Sequence, residues 1–194
     1  MNRVVTNICP KSPYDFELTV GYHTYYRSRY GTDCWEDGKY RRLLEIDNKL
    51  LLASVSSTGT VERPELEVIF EGTELSTYDV TRAKSQIEWI LGTSQDLKQF
   101  YESIVDKDPL NNFCHSFYGL HLPHTQSPYE SLILAVLGQQ ISTHVAHSIR
   151  TLIIEKYGST AKYNGTDYYA FPQPISLAKA SLEDLSLIHI SAPT

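Results

Sequence analysis

The chain has 194 residues, 41% hydrophobic and 21% charged, the balance of a globular protein that can bury one or two cores without disulfide or metal staples. Three scattered cysteines, Cys9, Cys34 and Cys114, form no C-x-x-C pair, which excludes a zinc ribbon and favours a reducing compartment: cytoplasm and nucleoid, or a nucleus. Seventeen basic residues against twenty-three acidic give a net charge of -6, so nucleic-acid contact would depend on locally placed cations, helix N-termini and backbone amides.

Met1 to Pro10 holds no apolar run of signal-peptide length, and no later stretch reaches the roughly 18 apolar residues of a membrane span. No membrane partner is expected. Phe16-Glu17-Leu18-Thr19-Val20 alternates and predicts a strand. Leu43, Leu44 and Ile46, then Asp47-Asn48, then Leu50 to Val55 predict a hairpin. A further strand runs from Glu65 to Phe70 with Leu66, Val68 and Phe70 on one face, and Gly72 ends it. An antiparallel sheet is the economical reading.

From about Val80 the period changes. Val80, Ala83, Ile87, Ile90 and Leu91 mark a helix that Gly92 stops. Ser94 starts another, with Leu97, Phe100, Tyr101, Ile104 and Val105 on its apolar side, and Asp108-Pro109 a third through Phe113 and Phe117 to Gly119. Ser127-Pro128-Tyr129-Glu130 is a capping box with proline at N1. Leu132 to Leu137 follows as an unbroken apolar run, predicted as a central helix buried on all sides, and breaks at Gly138-Gln139-Gln140, where the glycine would allow a sharp turn. A last helix, about Ser142 to Tyr157, presents Val145, Ala146, Ile149, Leu152, Ile153 and Tyr157 on one face and stops at Gly158. Strands first and helices afterwards predict an α+β fold.

His144 and His147, with Cys114-His115 upstream, lack a fourth ligand at regular spacing and read as a solvated face, so neither metal nor cofactor is expected. Arg27, Arg29, Lys39, Arg41 and Arg42 are interleaved with Asp33, Glu36, Asp37 and Glu45 and read as an exposed mixed-charge hairpin, with phosphate contact as the alternative. No Walker loop, G-x-G-x-x-G or G-x-S-x-G occurs.

Ser127-Pro-Tyr-Glu-Ser-Leu-Ile-Leu-Ala-Val-Leu-Gly-Gln-Gln-Ile-Ser142 ends an apolar helix in a glycine and two amides. Before it stand Asp96-Leu97, Phe100-Tyr101, Asp108-Pro109 and Tyr118-Gly119-Leu120; after it, Phe171-Pro172-Gln173-Pro174 and Leu177 to Leu185. Near the start are Pro13-Tyr14-Asp15 with Gly21-Tyr22, and Gly38-Lys39-Tyr40-Arg41. This order resembles the DNA-3-methyladenine glycosylase II family of the helix-hairpin-helix superfamily. The resemblance covers roughly Pro13 to Leu185 and is most specific in the helical part.

The resemblance implies an N-terminal antiparallel β-sheet domain, similar to the TATA-binding protein, over 1–92. It implies the first part of an all-α glycosylase core over 93–185, and a non-family tail over 186–194 that resembles translated adapter read-through. It implies base-excision repair: an N-glycosylase, acting as a monomer on double-stranded DNA, flips out an alkylated purine. Gln140 takes the place of the wedge that fills the gap in the duplex, flanked by Gln139 and Ile141, with Ser142 near a phosphate. Tyr22 takes the place of an aromatic that attracts the cationic base. The family's hairpin and catalytic aspartate have no counterpart here, so the chain reads as a fragment expected to be inactive. Capping of two helices equally accounts for Gln139, Gln140 and Ser142, and ordinary packing for Tyr22. An 8-oxoguanine-type glycosylase and a non-catalytic DNA-binding or interaction module remain alternatives.

Overall fold

The computed structural model describes residues 2–104, 111–181 and 183. Strands β1 (Asn2–Ile8), β2 (Arg29–Tyr30), β3 (Asp33–Glu36), β4 (Lys39–Ile46), β5 (Lys49–Ser57) and β6 (Leu66–Gly72) form one antiparallel sheet in the order β1-β6-β5-β4-β3-β2. The expected hairpin is β4–β5, with Leu44 opposite Leu51 and both turn residues, Asp47 and Asn48, at positive φ. That backbone suits the twist of the two strands, and Asp and Asn tolerate it best among non-glycine residues.

Phe16 to Val20 is a correction: it belongs to helix α1 (Phe16–Thr24). Asp15 caps it, accepting from the Leu18 N–H at 2.9 Å, and the buried residues Phe16, Thr19 and Val20 follow helical spacing. Five residues are too few for alternation to distinguish the two periods.

Helix α2 (Thr77–Ile90) begins at a capping box between Ser76 and Asp79, and Gly92 follows it at φ 62°. Its Ala83, Ile87 and Ile90 join Leu91, Val20 of α1, and Leu44, Leu51, Val68 and Phe70 of the sheet in the main core. Helix α3 (Lys98–Ser103) starts at Leu97, later than Ser94 suggested, with no side-chain cap. Val105, Asp108 and Pro109 lie outside the described residues, and α4 (Asn111–Ser116) precedes the turn at Gly119.

Helix α5 (Pro128–Leu137) has the expected cap, Ser127 Oγ accepting from the Glu130 N–H at 3.2 Å, but its burial differs from expectation. Leu132 is 63% and Val136 55% exposed, and Ile133 is partly exposed, so the fully buried central helix is corrected. An unbroken apolar run describes the helix surface; burial also needs neighbours. Here Leu137 joins the cluster around Ile149 and Ile153 of α6 (Thr143–Tyr157), while among the described residues Leu132 and Val136 stay uncovered.

A second hairpin, β7 (Thr160–Tyr163) and β8 (Thr166–Tyr169), turns at Asn164-Gly165. It lies on the sheet face opposite α2, where Tyr163 and Ala170 bury against Leu43 and Leu52. Tyr163 Oη donates to the Glu71 carbonyl at 3.0 Å and Ser159 Oγ to Glu45 Oε2 at 2.7 Å. A short helix, α7 (Pro174–Ala178), follows.

Candidate functional site

The end of α1 is shaped by the close approach of two residues. Tyr25 and Tyr26 both take left-handed backbone, φ 52° and 55°, which bulky side chains rarely adopt, and their N–H groups donate back to Gly21. The Tyr26 ring lies directly on Gly21, where a Cβ would overlap it. Gly21 therefore lets the chain fold back over itself, and Tyr22 and Tyr25 are left standing out from the surface, each more than half exposed.

These two rings stand at a recess of about 370 Å³. Tyr30 of β2 packs at a tilt against Tyr25, ring centroids 4.9 Å apart, and against His147 of α6 at the same separation. The Arg150 guanidinium lies over the Tyr30 ring, 4.4 Å from its centroid. Pro123 and His124 line the recess from the loop before α5, and Leu134 and Ala135 from α5 itself.

Beneath the aromatics lies a buried ionic network. Arg42, wholly inaccessible to solvent, points into the sheet face it shares with Tyr40 and Leu44. Its Nη1 donates to Asp33 Oδ1 at 2.8 Å and its Nη2 to Glu130 Oε2 at 2.7 Å. Tyr40 Oη donates to Asp33 Oδ1 at 2.7 Å, while His23 Nε2 is 3.3 Å from that oxygen. Arg150 Nη2 stands 3.6 Å from Asp33 and 3.9 Å from Glu130. Burial alone would raise the Asp33 carboxyl, but Arg42, His23 and Arg150 outweigh it and hold it well below the usual carboxylate range. Burial likewise opposes the Arg42 charge, and Asp33 and Glu130 more than restore it. The network joins α1, the sheet, α5 and α6.

These residues were missed in the sequence, and Arg42 is a further correction: it is no part of an exposed hairpin face. Its signal was its phase. It sits between Tyr40 and Leu44 on the inward side of an alternating strand, where a lone arginine needs partners. Glu130, read only as a cap residue, sends its carboxylate to Arg42 and to the Gln126 N–H instead of closing a full capping box. His147 also corrects the solvated-face reading, since its ring is half-buried against Tyr30. Burial, then Arg27 and Arg150, lowers its pKa. Among the described residues no cluster of His, Cys, Asp and Glu is arranged for a metal.

Tyr22 lines the recess, and Gln139, Gln140, Ile141 and Ser142 form the exposed turn between α5 and α6. The turn is made differently from the sequence expectation. Gly138 keeps φ -87°, and Gln140 takes the left-handed backbone at φ 59°. Ser142 caps α6, its Oγ accepting from the Val145 N–H at 3.3 Å. Ala135, which lines the recess, stands two residues before the end of α5, and the turn follows directly.

No family model matches the chain. Over 105 residues, 54% of this chain and 34% of the relative, it is 33% identical to the DNA-3-methyladenine glycosylase of Bacillus subtilis (strain 168). The chain thus spans about a third of that relative's length. The 3-methyladenine DNA glycosylase of Archaeoglobus fulgidus superposes over 96% of this chain and 62% of its own, with a TM-score of 0.76 and 23% identity. Over these stretches the chain is similar to DNA-3-methyladenine glycosylases. The apo 8-oxoguanine glycosylase/lyase of Clostridium acetobutylicum shares the fold at a lower TM-score of 0.64 and 17% identity, over 95% of this chain and 57% of its own.

Gly31, at φ 63°, supports the network, since a Cβ there would overlap Arg150 Nε. Gly31→Ala is expected to cost about 1–2 kcal/mol in backbone strain alone and to displace Arg150 from Tyr30. Urea unfolding measures the first effect and a structure of the variant the second; unchanged stability with Arg150 in place would refute this assignment.

Proposed function

We propose that this chain is the lesion-binding part of a base-excision repair N-glycosylase that removes alkylated purines of the 3-methyladenine type from double-stranded DNA. The observation that carries the reading is the recess itself, an electron-rich surface of Tyr22, Tyr25 and Tyr30 against α5, the helix that runs into an exposed amide turn. Alkylation leaves a purine positively charged, and each aromatic face attracts such a cation by about 0.5–2 kcal/mol. Flipping costs a few kcal/mol, least for a base that already pairs badly. Gln140 is the wedge that takes the vacated space, Gln139 and Ile141 flank it, and Ser142 at the start of α6 meets the backbone phosphate.

The sheet is read as the TATA-binding-protein-like domain of such an enzyme, a monomer of the cytoplasm and nucleoid or of a nucleus. The leaving base is already cationic, so the chemistry asks for one carboxylate to stabilise the oxocarbenium-like sugar or activate water, without a proton donor. The shared fold of the Clostridium protein supports 8-oxoguanine as a second reading. That base is uncharged, and it would gain nothing from cation attraction in the recess.

Gln140→Gly tests the wedge. Glycine removes the side chain and suits the left-handed backbone better, where alanine would keep the strain. Affinity for a duplex with a tetrahydrofuran abasic analogue is expected to fall by about 1–3 kcal/mol, by analogy with stacking contacts, while the thermal midpoint holds or rises. A lower midpoint with unchanged affinity would make Gln140 a capping residue. Equal affinity of the unaltered chain for intact and lesion-bearing duplexes would overturn the whole reading.

A further inference from the structure

Glu130 is 1% exposed and lines the recess, yet only half of its carboxylate is engaged. Oε2 accepts from Arg42 Nη2 at 2.7 Å and from the Gln126 N–H at 2.9 Å. Oε1 is buried and accepts no hydrogen bond. Arg150 Nη2 stands 3.9 Å from it, beyond hydrogen-bond reach, with its guanidinium over the Tyr30 ring and against Gly31. A buried charged oxygen without a donor costs free energy until one arrives, and native proteins seldom leave such a group idle. The floor around it is electrically balanced, Asp33 and Glu130 facing Arg42 and Arg150, with His23 beside Asp33. What Oε1 lacks is therefore a hydrogen-bond donor.

We propose that Glu130 is a specificity-determining residue, whose Oε1 accepts a hydrogen bond from the exocyclic amine of a flipped cationic base and so selects 6-amino over 6-oxo alkylated purines. The inference rests on the reading of the recess as the base pocket. A 6-amino purine brings an N–H to Oε1, and its positive charge strengthens that bond. A 6-oxo purine brings a second acceptor, so two oxygens face each other and neither is satisfied; discrimination comes from repulsion as much as attraction. The aromatic walls respond to charge and surface, and are indifferent to the group at position 6.

The test is binding by fluorescence anisotropy, with each lesion placed opposite a tetrahydrofuran residue so that no pairing has to be broken. The probes are 1-methyladenine, a 6-amino cation; 2′-fluoro-stabilised 7-methylguanine, a 6-oxo cation; 1-methylhypoxanthine, the 6-oxo counterpart of the first; and a duplex with tetrahydrofuran in both strands. The unaltered chain is expected to bind 1-methyladenine about tenfold to a hundredfold more tightly than either 6-oxo base, the range of one charge-assisted hydrogen bond. Glu130→Gln should bring the ratio towards one. Tyr22→Ala should weaken the two cations, 1-methyladenine and 7-methylguanine, alike and preserve the ratio between them. The ratio in the unaltered chain decides the matter even if Glu130→Gln does not fold. Equal binding of 6-amino and 6-oxo lesions, both above the doubly abasic duplex, would overturn the role of Glu130 and leave the pocket standing. Binding of every lesion no better than the doubly abasic duplex would overturn the pocket, and Glu130 with it.

Discussion

Replacing Arg42 with methionine is expected to lower the unfolding free energy by about 3–5 kcal/mol, the usual cost of removing one partner from a buried ionic set. The change deletes the donors that Asp33 Oδ1 and Glu130 Oε2 share with Arg42, and both carboxylates stay out of water. Adding Asp33→Asn and Glu130→Gln to the same variant should recover part of the loss, because neutral amides tolerate burial better than unpaired charges. Urea midpoints at constant slope measure all of these. The same network sets a response to acid. Asp33 titrates lower in the folded chain than when unfolded, so its contribution is complete above the unfolded value of about 3.9 and disappears as pH falls through the folded value. Stability should drop below about pH 4, and Asp33→Asn should flatten that part of the curve. A loss for Arg42→Met under 1 kcal/mol would mean that water or other groups take over from Arg42.

Ile87→Ala and Leu132→Ala are expected to separate widely although both remove apolar mass from helices. Ile87 is completely buried between α2 and the sheet, and its loss should cost about 2–5 kcal/mol, transfer free energy plus an unfilled cavity. Leu132 is mostly in water already, so its loss should fall within about 0.5 kcal/mol. Thermal or urea unfolding of the two variants is the comparison. Similar costs would mean that the exposed side of α5 is covered in solution.

Much of the architecture could be read from residue order because the signals were local. Asp47-Asn48 specified its turn through backbone preference, and Ser127-Pro128 specified the start of α5 through capping. The 3.6-residue period placed α2 and α6 correctly. Phe16 to Val20 misled because the stretch was short and its deciding residue, Asp15, lay one position outside it. The β7–β8 hairpin was not anticipated, although Asn164-Gly165 is a strong turn signal. Its strands carry Lys162 and Asp167 among their apolar residues and bury mainly at Tyr163 and Ala170.

The candidate site divides along the same line. Tyr22 and the Gln139 to Ser142 turn were found through resemblance in motif order. The ionic floor was not, because Asp33, Arg42, Glu130 and Arg150 are scattered over more than a hundred positions, and only the tertiary fold shows which charges meet. In sequence each had an adequate local explanation: a mixed-charge strand, a capping acid, a helix-face cation. The in-phase position of Arg42 was the only departure, and a single residue out of pattern is a weak signal.

The floor network also bears on how the molecule comes apart. Its members belong to α1, the sheet, α5 and α6, so neither the strand-rich half nor the helix pair can leave without exposing the opposite charge of the other. Melting should therefore be a single cooperative event. The slowest-exchanging amides should lie in β4 and α6 alike, and a protease that nicks the loop after α2 should fail to release a stable half.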